Sequence, residues 1–207
     1  MKSRYQLTIT LVLAVAAMAA GVAVQRGLDA PSATAALAAG TAIVPPRPLT
    51  PFSLQFGDAG VFDKSWLEGR HTLLFFGFAN CPDICPTTLA TLADTVERLR
   101  AAGSPEPAVV FVSVDPERDT PEAARDYARF FDASFHAATG DDPALKELTK
   151  PLGILFMDVP LGSGGYTVDH STALLLIDPG ARLAAVFSAP HDAETLARDL
   201  ERVLAEA

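Results

Sequence analysis

The chain contains only two cysteines, Cys81 and Cys85, and three residues separate them. An apolar run from Thr72 to Phe78 precedes the pair and is typical of a strand that is buried on both faces. Helical periodicity begins after them at Pro86, and proline is favoured at the first position of a helix. The two cysteines are therefore predicted to lie on a strand-to-helix turn at the edge of a sheet, which indicates an α/β fold.

The spacing and number of the cysteines indicate a soft-metal site that is incomplete without a third donor. Disulfide oxidoreductases usually place two residues between their cysteines, not three. Thiolates prefer Cu(I), zinc or iron–sulfur clusters. Two thiolates do not complete a tetrahedral zinc site, and a cluster needs more cysteines than this chain has. The expected third ligand is a histidine from elsewhere in the chain.

The remaining elements alternate between strands and helices. Strands are predicted at 52–56, 108–114, 154–159, 171–177 and 183–187, and helices begin near Thr120–Pro121, Asp142–Pro143 and Asp192. Strand, helix, strand and helix, followed by a hairpin and a closing helix, is the order of a thioredoxin-like α/β fold. We expect a central mixed β-sheet flanked by helices, over residues 49–207.

The N-terminus is predicted to be a membrane anchor. Basic residues flank an uncharged stretch from Leu7 to Val24, which is about the minimum length for a membrane span. Residues 1–26 are interpreted as an uncleaved signal anchor with its basic end in the cytoplasm, and a cleaved export signal is the alternative. Residues 27–48 are rich in alanine and proline and are predicted to be a flexible linker.

This arrangement predicts a single-pass inner-membrane protein whose domain faces the periplasm. That compartment is oxidising, so Cys81 and Cys85 are expected to form a disulfide unless a metal or a reductant intervenes. The net charge of −9 and the absence of a basic cluster after the N-terminus exclude nucleic acid as a partner.

Among the four histidines, His170 is the candidate ligand. It precedes the predicted hairpin strand, and in a thioredoxin-like fold that position lies across from the cysteine turn. Disulfide oxidoreductases of this fold carry a cis-proline there, whereas this chain has no proline between Gly162 and Ile177. The other three, His71, His136 and His191, are interpreted as capping or solvated surface residues.

Three separated stretches resemble the signature stretches of the SCO/SenC family. They are residues 76–86, which contain both cysteines, residues 113–122, which contain Asp115 and Asp119, and residues 168–171, which contain His170. The similarity spans the domain after residue 50. The chain departs from the pattern at Ala79–Asn80, where Thr-His or Thr-Tyr is expected.

The resemblance implies a membrane-tethered, thioredoxin-fold copper protein that helps to assemble the dinuclear copper centre of cytochrome c oxidase subunit II. It implies Cys81, Cys85 and His170 as ligands of Cu(I), Cu(II) or both. The implied partners are subunit II or a related copper enzyme, and an upstream copper donor or thiol reductant. Such a protein is a metallochaperone, so no catalytic residue is assigned.

The donor set agrees with this assignment on chemical grounds. Two thiolates and an imidazole hold Cu(I), and the nitrogen donor also tolerates Cu(II). If Pro86 is the first helical residue, Cys85 lies at the helix cap, and a lowered thiol pKa is expected there. Three protein ligands leave a coordination position open for an acceptor.

Three acidic residues near these motifs are secondary candidates. Asp169 is adjacent to His170 and is a candidate for orienting its ring, and exposure to solvent is the alternative. Asp115 and Asp119 follow the second buried strand. They are candidates either for a docking surface or for organising the turn and capping the next helix.

Two other functional classes remain open from the sequence. One is a thiol–disulfide oxidoreductase that cycles Cys81 and Cys85 and acts on exported proteins. The other is a binding module that senses redox or copper state without delivering metal.

Overall fold

The computed structural model describes residues 37–162 and 164–205. The predicted anchor at 1–26 and the first part of the predicted linker lie outside the described residues. Among the described helices, none combines the length and apolar character that a membrane crossing requires.

A large mixed sheet forms the centre of the domain. The strands are β1 (Gly40–Pro48), β2 (Ser53–Phe56), β3 (Val61–Asp63), β4 (Thr72–Gly77), β5 (Ala108–Ser113), β6 (His136–Thr139), β7 (Phe156–Pro160), β8 (Tyr166–His170), β9 (Leu174–Ile177) and β10 (Arg182–Phe187). Eight of them pair in the order β1-β10-β9-β4-β5-β6-β2-β3, and β7 and β8 form a separate antiparallel pair. β4, β5 and β6 run parallel to one another, whereas β9 pairs antiparallel with both β4 and β10. The predicted central mixed sheet is therefore confirmed.

Helices cover this sheet, and two of them begin at the expected capping residues. They are α1 (Lys64–Leu67), α2 (Ile84–Ala101), α3 (Pro121–Arg129), α4 (Asp142–Leu152) and α5 (Ala193–Ala205). Thr120 caps α3 by accepting the Ala123 N–H at 3.2 Å, and Asp192 accepts the Thr195 N–H at 2.9 Å in front of α5. The predicted strands and helices occur in the expected order, and the structure adds β1, β3, α1, β6 and β8, which were not predicted.

The strands with continuous apolar runs lie at the centre of the sheet. Every residue of β4 and of β9 is buried, as predicted for strands covered on both faces. The largest buried side chains include Phe75, Phe76 and Phe111 on the neighbouring strands β4 and β5. These strands form the rigid part of the molecule that carries the loops of the candidate site.

The sheet begins earlier in the chain than the sequence predicts, because β1 lies inside the segment 27–48 that was assigned to the linker. β1 pairs antiparallel with β10, from Gly40 opposite Phe187 to Pro48 opposite Arg182. Its prolines obscure the alternation by which strands are recognised. An edge strand accepts proline because one side of its backbone carries no ladder hydrogen bonds.

Three loops meet at one edge of the sheet. β4 ends at Gly77, which lies opposite Ser113 at the end of β5. β9 runs in the opposite direction, and its first residue, Leu174, lies opposite Phe75. The loops that follow β4 and β5 and the segment that precedes β9 are therefore neighbours in space.

A buried carboxylate on α5 holds the start of β1. Asp199 is fully buried and accepts the backbone N–H groups of Ala38 and Ala39 at 3.0 and 2.7 Å. These residues directly precede the first edge strand, and 160 or more positions separate them from Asp199. The C-terminal helix therefore fixes the point at which the chain enters the domain.

Replacing Asp199 by alanine leaves both N–H groups without their acceptor. Since a hydrogen bond to a charged group contributes about 1.5–3 kcal/mol, we predict that Asp199→Ala lowers the free energy of unfolding by roughly 2–4 kcal/mol in urea denaturation. The control is Glu194→Ala on the same helix, because Glu194 forms an exposed pair with Arg198. That variant should lose less than about 1 kcal/mol. Equal losses in the two variants would contradict the anchoring role.

Candidate metal centre

The cysteine loop connects β4 to α2. Cys81 is partly exposed in the loop, and its N–H donates to the Phe78 carbonyl at 3.2 Å. Cys85 is fully buried in the first turn of α2, and its N–H donates to Cys81 Sγ at 3.4 Å. Both are free cysteines. The predicted strand-to-helix turn is confirmed, and it brings the two sulfurs together.

The buried sulfur rests against the end of β4. A Cβ built on Gly77 would lie 2.7 Å from Cys85 Sγ and 3.1 Å from the Phe111 ring, closer than side chains tolerate. Glycine at this position therefore makes room for the sulfur. This role was not predicted from the sequence, although a glycine inside a buried apolar strand is a recognised sign of close approach.

The position of Cys85 in the helix changes its expected chemistry. α2 begins at Ile84, and Asp83 occupies the cap position, so Cys85 lies inside the helix. The predicted lowering of its pKa is wrong, because burial raises the pKa of the Cys85 thiol well above its ordinary value. Free Cys85 is therefore protonated at neutral pH, and a metal ion has to displace that proton in order to bind.

His170 ends a strand that the sequence analysis interpreted as a loop. Strand β8 pairs with β7, and His170 lies opposite Phe156. Phe75 and Phe78 meet the imidazole edge-on, with ring centroids 6.4 and 5.9 Å away. The predicted loop around His170 is therefore half of a hairpin, and the aromatic contacts define the plane of the ring.

Hydrogen bonding fixes the tautomer of His170. Its Nδ1 lies 3.0 Å from the Ser171 carbonyl and its Nε2 lies 3.4 Å from Cys85 Sγ. Because a carbonyl only accepts, Nδ1 carries the proton and Nε2 presents its lone pair. Burial lowers the pKa of the imidazole, so the ring is neutral and able to ligate at neutral pH.

The two sulfurs and the imidazole converge on one point. The ligand atoms of Cys81, Cys85 and His170 lie within 4.8 Å of one another, and in residues 37–162 and 164–205 they are the one such group of three. Metal–sulfur and metal–nitrogen bonds of about 2.3 and 2.0 Å place ligand atoms of a three-coordinate ion roughly 3.5–4 Å apart. The arrangement accommodates one ion after small shifts of the sulfurs.

The site opens to the outside through a cavity of about 320 Å³. Its walls combine residues of the cysteine loop and of β8, namely Phe78, Cys81, Pro82, Asp83, Ile84, Thr167, Val168, Asp169, His170 and Thr172. An ion held by the three side chains would therefore have one side accessible to a further ligand.

Exposed apolar side chains lie on this cavity and on a second cavity beside His170. Ile84 on the cavity wall is 38% exposed, and Leu155 and Met157, which line a second cavity beside His170, are 75% and 63% exposed. Apolar side chains clustered around a polar site mark a surface that contacts another molecule.

Asp169, the candidate for orienting the imidazole, is exposed to solvent. The His170 ring is instead held by the carbonyl of Ser171. Asp169 lies opposite Met157 in the β7–β8 pair and lines the outer cavities, so the structure places it at the rim of the opening.

The other two acidic candidates are internal. Asp115 is 2% exposed and Asp119 is 1% exposed, and neither forms part of an exposed docking surface. Asp119 accepts the Ala79 N–H at 2.8 Å and the Ser113 hydroxyl at 2.6 Å, while burial raises its pKa. The structure therefore favours the second alternative, in which these carboxylates organise the turn.

Two further residues of this cluster were not identified from the sequence. Arg118 and Tyr166 both contact Asp115, through Arg118 Nε at 2.5 Å and the Tyr166 hydroxyl at 2.8 Å. Tyr166 lies 51 positions from Asp115 in the chain, so no short-range pattern connects them.

The remaining histidines take no part in this group. His136 lies in β6 and packs edge-on against Trp66 at a centroid distance of 5.1 Å, so its predicted position in a solvated loop is wrong. His191 Nε2 lies 2.9 Å from the Thr172 carbonyl, and His71 precedes β4 at the opposite end of that strand.

Comparison with known proteins finds relatives of one family. The profile of the SCO1/SenC family matches residues 43–205. A Stutzerimonas stutzeri protein named as copper-binding is 37% identical over 143 residues, which are 69% of this chain and 70% of that protein. The mitochondrial SCO1 homolog 1 of Arabidopsis thaliana is 32% identical over 146 residues, 70% of this chain but 44% of that longer protein.

Solved structures share the fold. ScoI of Arabidopsis thaliana with copper bound has a TM-score of 0.73 at 30% identity, over 76% of this chain and 98% of that chain. Together with the strand order, this likeness confirms the predicted mixed α/β, thioredoxin-like fold. The matched region contains both cysteines and His170.

The contact between Gly77 and Cys85 provides a direct test of the site's packing. Because an added Cβ would overlap the sulfur, we predict that Gly77→Ala costs about 1–3 kcal/mol of unfolding free energy and makes Cys85 react faster with an alkylating reagent. The control is Gly162→Ala, since a Cβ there meets nothing within 4 Å. Unchanged Cys85 reactivity in Gly77→Ala would refute the packing argument.

Proposed function

The chain belongs to the SCO1/SenC family, and from this membership we propose that it binds copper through Cys81, Cys85 and His170. Copper is its cargo. The chain delivers the ion to the dinuclear copper centre of cytochrome c oxidase subunit II, or prepares the cysteines of that centre to receive it.

One observation carries this proposal. Two sulfurs from the cysteine loop and a neutral imidazole from β8 converge within 4.8 Å at an open edge of the sheet. Structural zinc sites have four ligands, so three protein donors beside an opening suit an ion that is bound for transfer.

The donors match the chemistry of copper in both oxidation states. Thiolates are soft ligands that select Cu(I), and imidazole is a donor that Cu(II) also accepts. Ligation removes the proton from Cys85, whose burial otherwise keeps it protonated. Copper binding should therefore release protons, and the neutral His170 ring should add no proton to that release.

Transfer requires that a second protein reaches the ion. Cys81 is partly exposed, and the cavity of about 320 Å³ gives access to the bound ion from outside. An acceptor thiolate or imidazole entering there would add a ligand before one of the chain's own donors leaves. The exposed Ile84, Leu155 and Met157 around the opening supply apolar contact area for that encounter.

The proposal includes a location and further partners. Residues 1–26 anchor the chain in the inner membrane in a single pass, and the domain faces the periplasm. The uncharged stretch Leu7–Val24 with basic flanks supports this assignment. An upstream copper donor or a thiol reductant completes the set of partners, since the cysteines must be reduced before copper binds.

A second candidate function is supported by the two free thiols. Cys81 is the more exposed, and the Cys85 N–H points at its sulfur. In a thiol–disulfide reaction, the Cys81 thiolate attacks a substrate disulfide and forms a mixed disulfide. Cys85 then displaces the reduced substrate, leaving a Cys81–Cys85 disulfide that an external thiol reductant resets.

Copper titration of the reduced full-length chain tests the ligand set. We predict that His170→Ala weakens Cu(II) binding by about 10-fold or more, because even a contact outside the first ligand shell changes metal affinity by 10–100-fold. His71→Ala is the matched control, since His71 precedes β4 at the end away from Gly77. It should bind copper like the wild type.

The outcomes of this titration separate the two functions. Tight binding that depends on His170 supports copper handling. Unchanged copper binding in His170→Ala, with dithiol exchange intact, contradicts the proposed ligand set and supports the oxidoreductase.

Delivery is tested with a copper acceptor. We predict that the copper-loaded chain transfers its ion to the reduced copper-binding domain of subunit II, and that His170→Ala transfers less. Deletion of the gene should impair oxidase assembly, with rescue by added copper. Binding without transfer, together with normal oxidase assembly in the deletion strain, would exclude delivery and favour copper sensing.

A further inference from the structure

Arg118 contacts both segments that carry the proposed ligands. Its Nη1 donates to the carbonyl of Tyr166, the first residue of β8, at 2.8 Å. Its guanidinium carbon lies 3.8 Å from the centre of the Tyr166 ring and 5.6 Å from the centre of the Phe78 ring. Phe78 opens the cysteine loop, so one side chain links that loop to the hairpin of His170.

The buried Asp115 holds Arg118 in this place. Its Oδ2 accepts from Arg118 Nε at 2.5 Å, and its Oδ1 accepts from the Tyr166 hydroxyl at 2.8 Å. The carboxylate therefore binds the guanidinium and the end of β8 at the same time. Removing one partner of a buried ion pair strongly lowers the stability of a protein. The pair with Asp115 therefore opposes displacement of the guanidinium from this position.

The next acidic residue attaches the same turn to the cysteine loop. Asp119 accepts the Ala79 N–H at 2.8 Å and is itself held by the Ser113 hydroxyl. Ala79 lies two residues before Cys81 in the sequence. Arg118 and Asp119 are adjacent, so one turn after β5 restrains both sources of ligands.

The restraint at Tyr166 reaches His170 in two ways. β8 is short, and at about 3.3 Å per residue its two ends lie roughly 13 Å apart, so fixing its first residue limits the movement of its last. In addition, the Phe78 ring is near both groups, since its centre lies 5.6 Å from the guanidinium carbon and it meets the imidazole edge-on at 5.9 Å. Phe78 is only 2% exposed and has little freedom to move.

We propose that Arg118 is a positioning residue that holds the His170 imidazole where its Nε2 can bind the same ion as the two sulfurs. The inference rests on the proposed function, because it concerns the proposed copper ligands. Arg118 does not touch the ion. It sets the separation between the cysteine loop and β8, and this separation decides whether a nitrogen donor joins the two thiolates.

The two oxidation states of copper respond differently to that separation. Cu(I) is held by soft thiolates and keeps both sulfur donors when the hairpin moves. Cu(II) depends more on the imidazole. Loss of Arg118 should therefore weaken Cu(II) binding selectively, whereas a general loss of structure would weaken the binding of both ions.

The test compares Cu(II) and Cu(I) affinities of the reduced full-length chain for the wild type, Arg118→Met and His170→Ala. We expect Arg118→Met to weaken Cu(II) binding by about 10-fold, the scale of contacts outside the ligand shell, and to leave Cu(I) binding unchanged. The sulfur-to-Cu(II) charge-transfer band should shift toward that of His170→Ala. In the metal-free protein, the Nδ1–H of His170 should exchange faster with solvent.

The matched control is Arg182→Met. Arg182 binds the largely buried carboxylate of Asp178 at 2.7 Å, as Arg118 binds Asp115, but it lies at the start of β10 on the opposite edge of the sheet. This variant reproduces the loss of an arginine from a buried aspartate without touching β8. Its copper affinities should equal those of the wild type.

Two variants keep the test decisive where Arg118→Met fails to fold. Arg118→Lys retains a cation for Asp115 but lacks the planar fork that reaches the Tyr166 carbonyl, so stability should recover while Cu(II) affinity stays low. The double variant Asp115→Asn with Arg118→Met leaves no buried charge unpaired. Both are expected to show the same selective loss of Cu(II) binding.

Three results would overturn the inference. If His170→Ala loses Cu(II) while the folded Arg118 variants bind it like the wild type, the positioning role fails and the proposed function stands. If the Arg118 variants lose Cu(I) and Cu(II) equally, Arg118 has only a structural role. If His170→Ala itself binds both ions like the wild type, the proposed function fails and the inference fails with it.

Discussion

The pairing of β4 with a parallel neighbour on one side and an antiparallel neighbour on the other is the constraint on which the site depends. Parallel β5 ends beside Gly77, and antiparallel β9 begins beside Phe75. A cysteine loop, an acidic turn and a histidine hairpin, far apart in the chain, therefore share one edge of the sheet. With β9 parallel to β4, the segment carrying His170 would lie at the opposite edge.

Burial at this edge disfavours charged forms of Cys85 and His170, which is consistent with the proposed reversible binding of copper. Burial keeps Cys85 protonated and His170 neutral, so in the absence of an ion these two side chains add no charge to the interior. An ion that binds supplies the positive charge that stabilises the thiolate. Because protons compete with the ion for Cys85, the burial that disfavours a free thiolate also weakens retention of the ion.

The sequence predicts the parts of this arrangement that local pattern encodes. Continuous apolar runs identified the central strands, and the position of His170 relative to the cysteine turn correctly indicated that the two would meet. The proline-rich β1 and the polar β8 were not recognised, because sheet pairing overrides a weak local pattern. The raised pKa of Cys85 and the Arg118–Tyr166 contact depend on burial and on residues distant in sequence, which no local motif reveals.

The site is stiff on its inner side and open on its outer side, and this asymmetry distinguishes it from a plain dithiol. On the inner side, Cys85 Sγ packs against Gly77, and the Phe78 ring meets the imidazole edge-on. On the outer side, Cys81 borders an open cavity. Cys81 and His170 both border this cavity, whereas Cys85 is fully buried on the inner side. In the proposed transfer, an incoming ligand would therefore approach from the side of Cys81 and His170, and Cys85 would hold the ion from the core side.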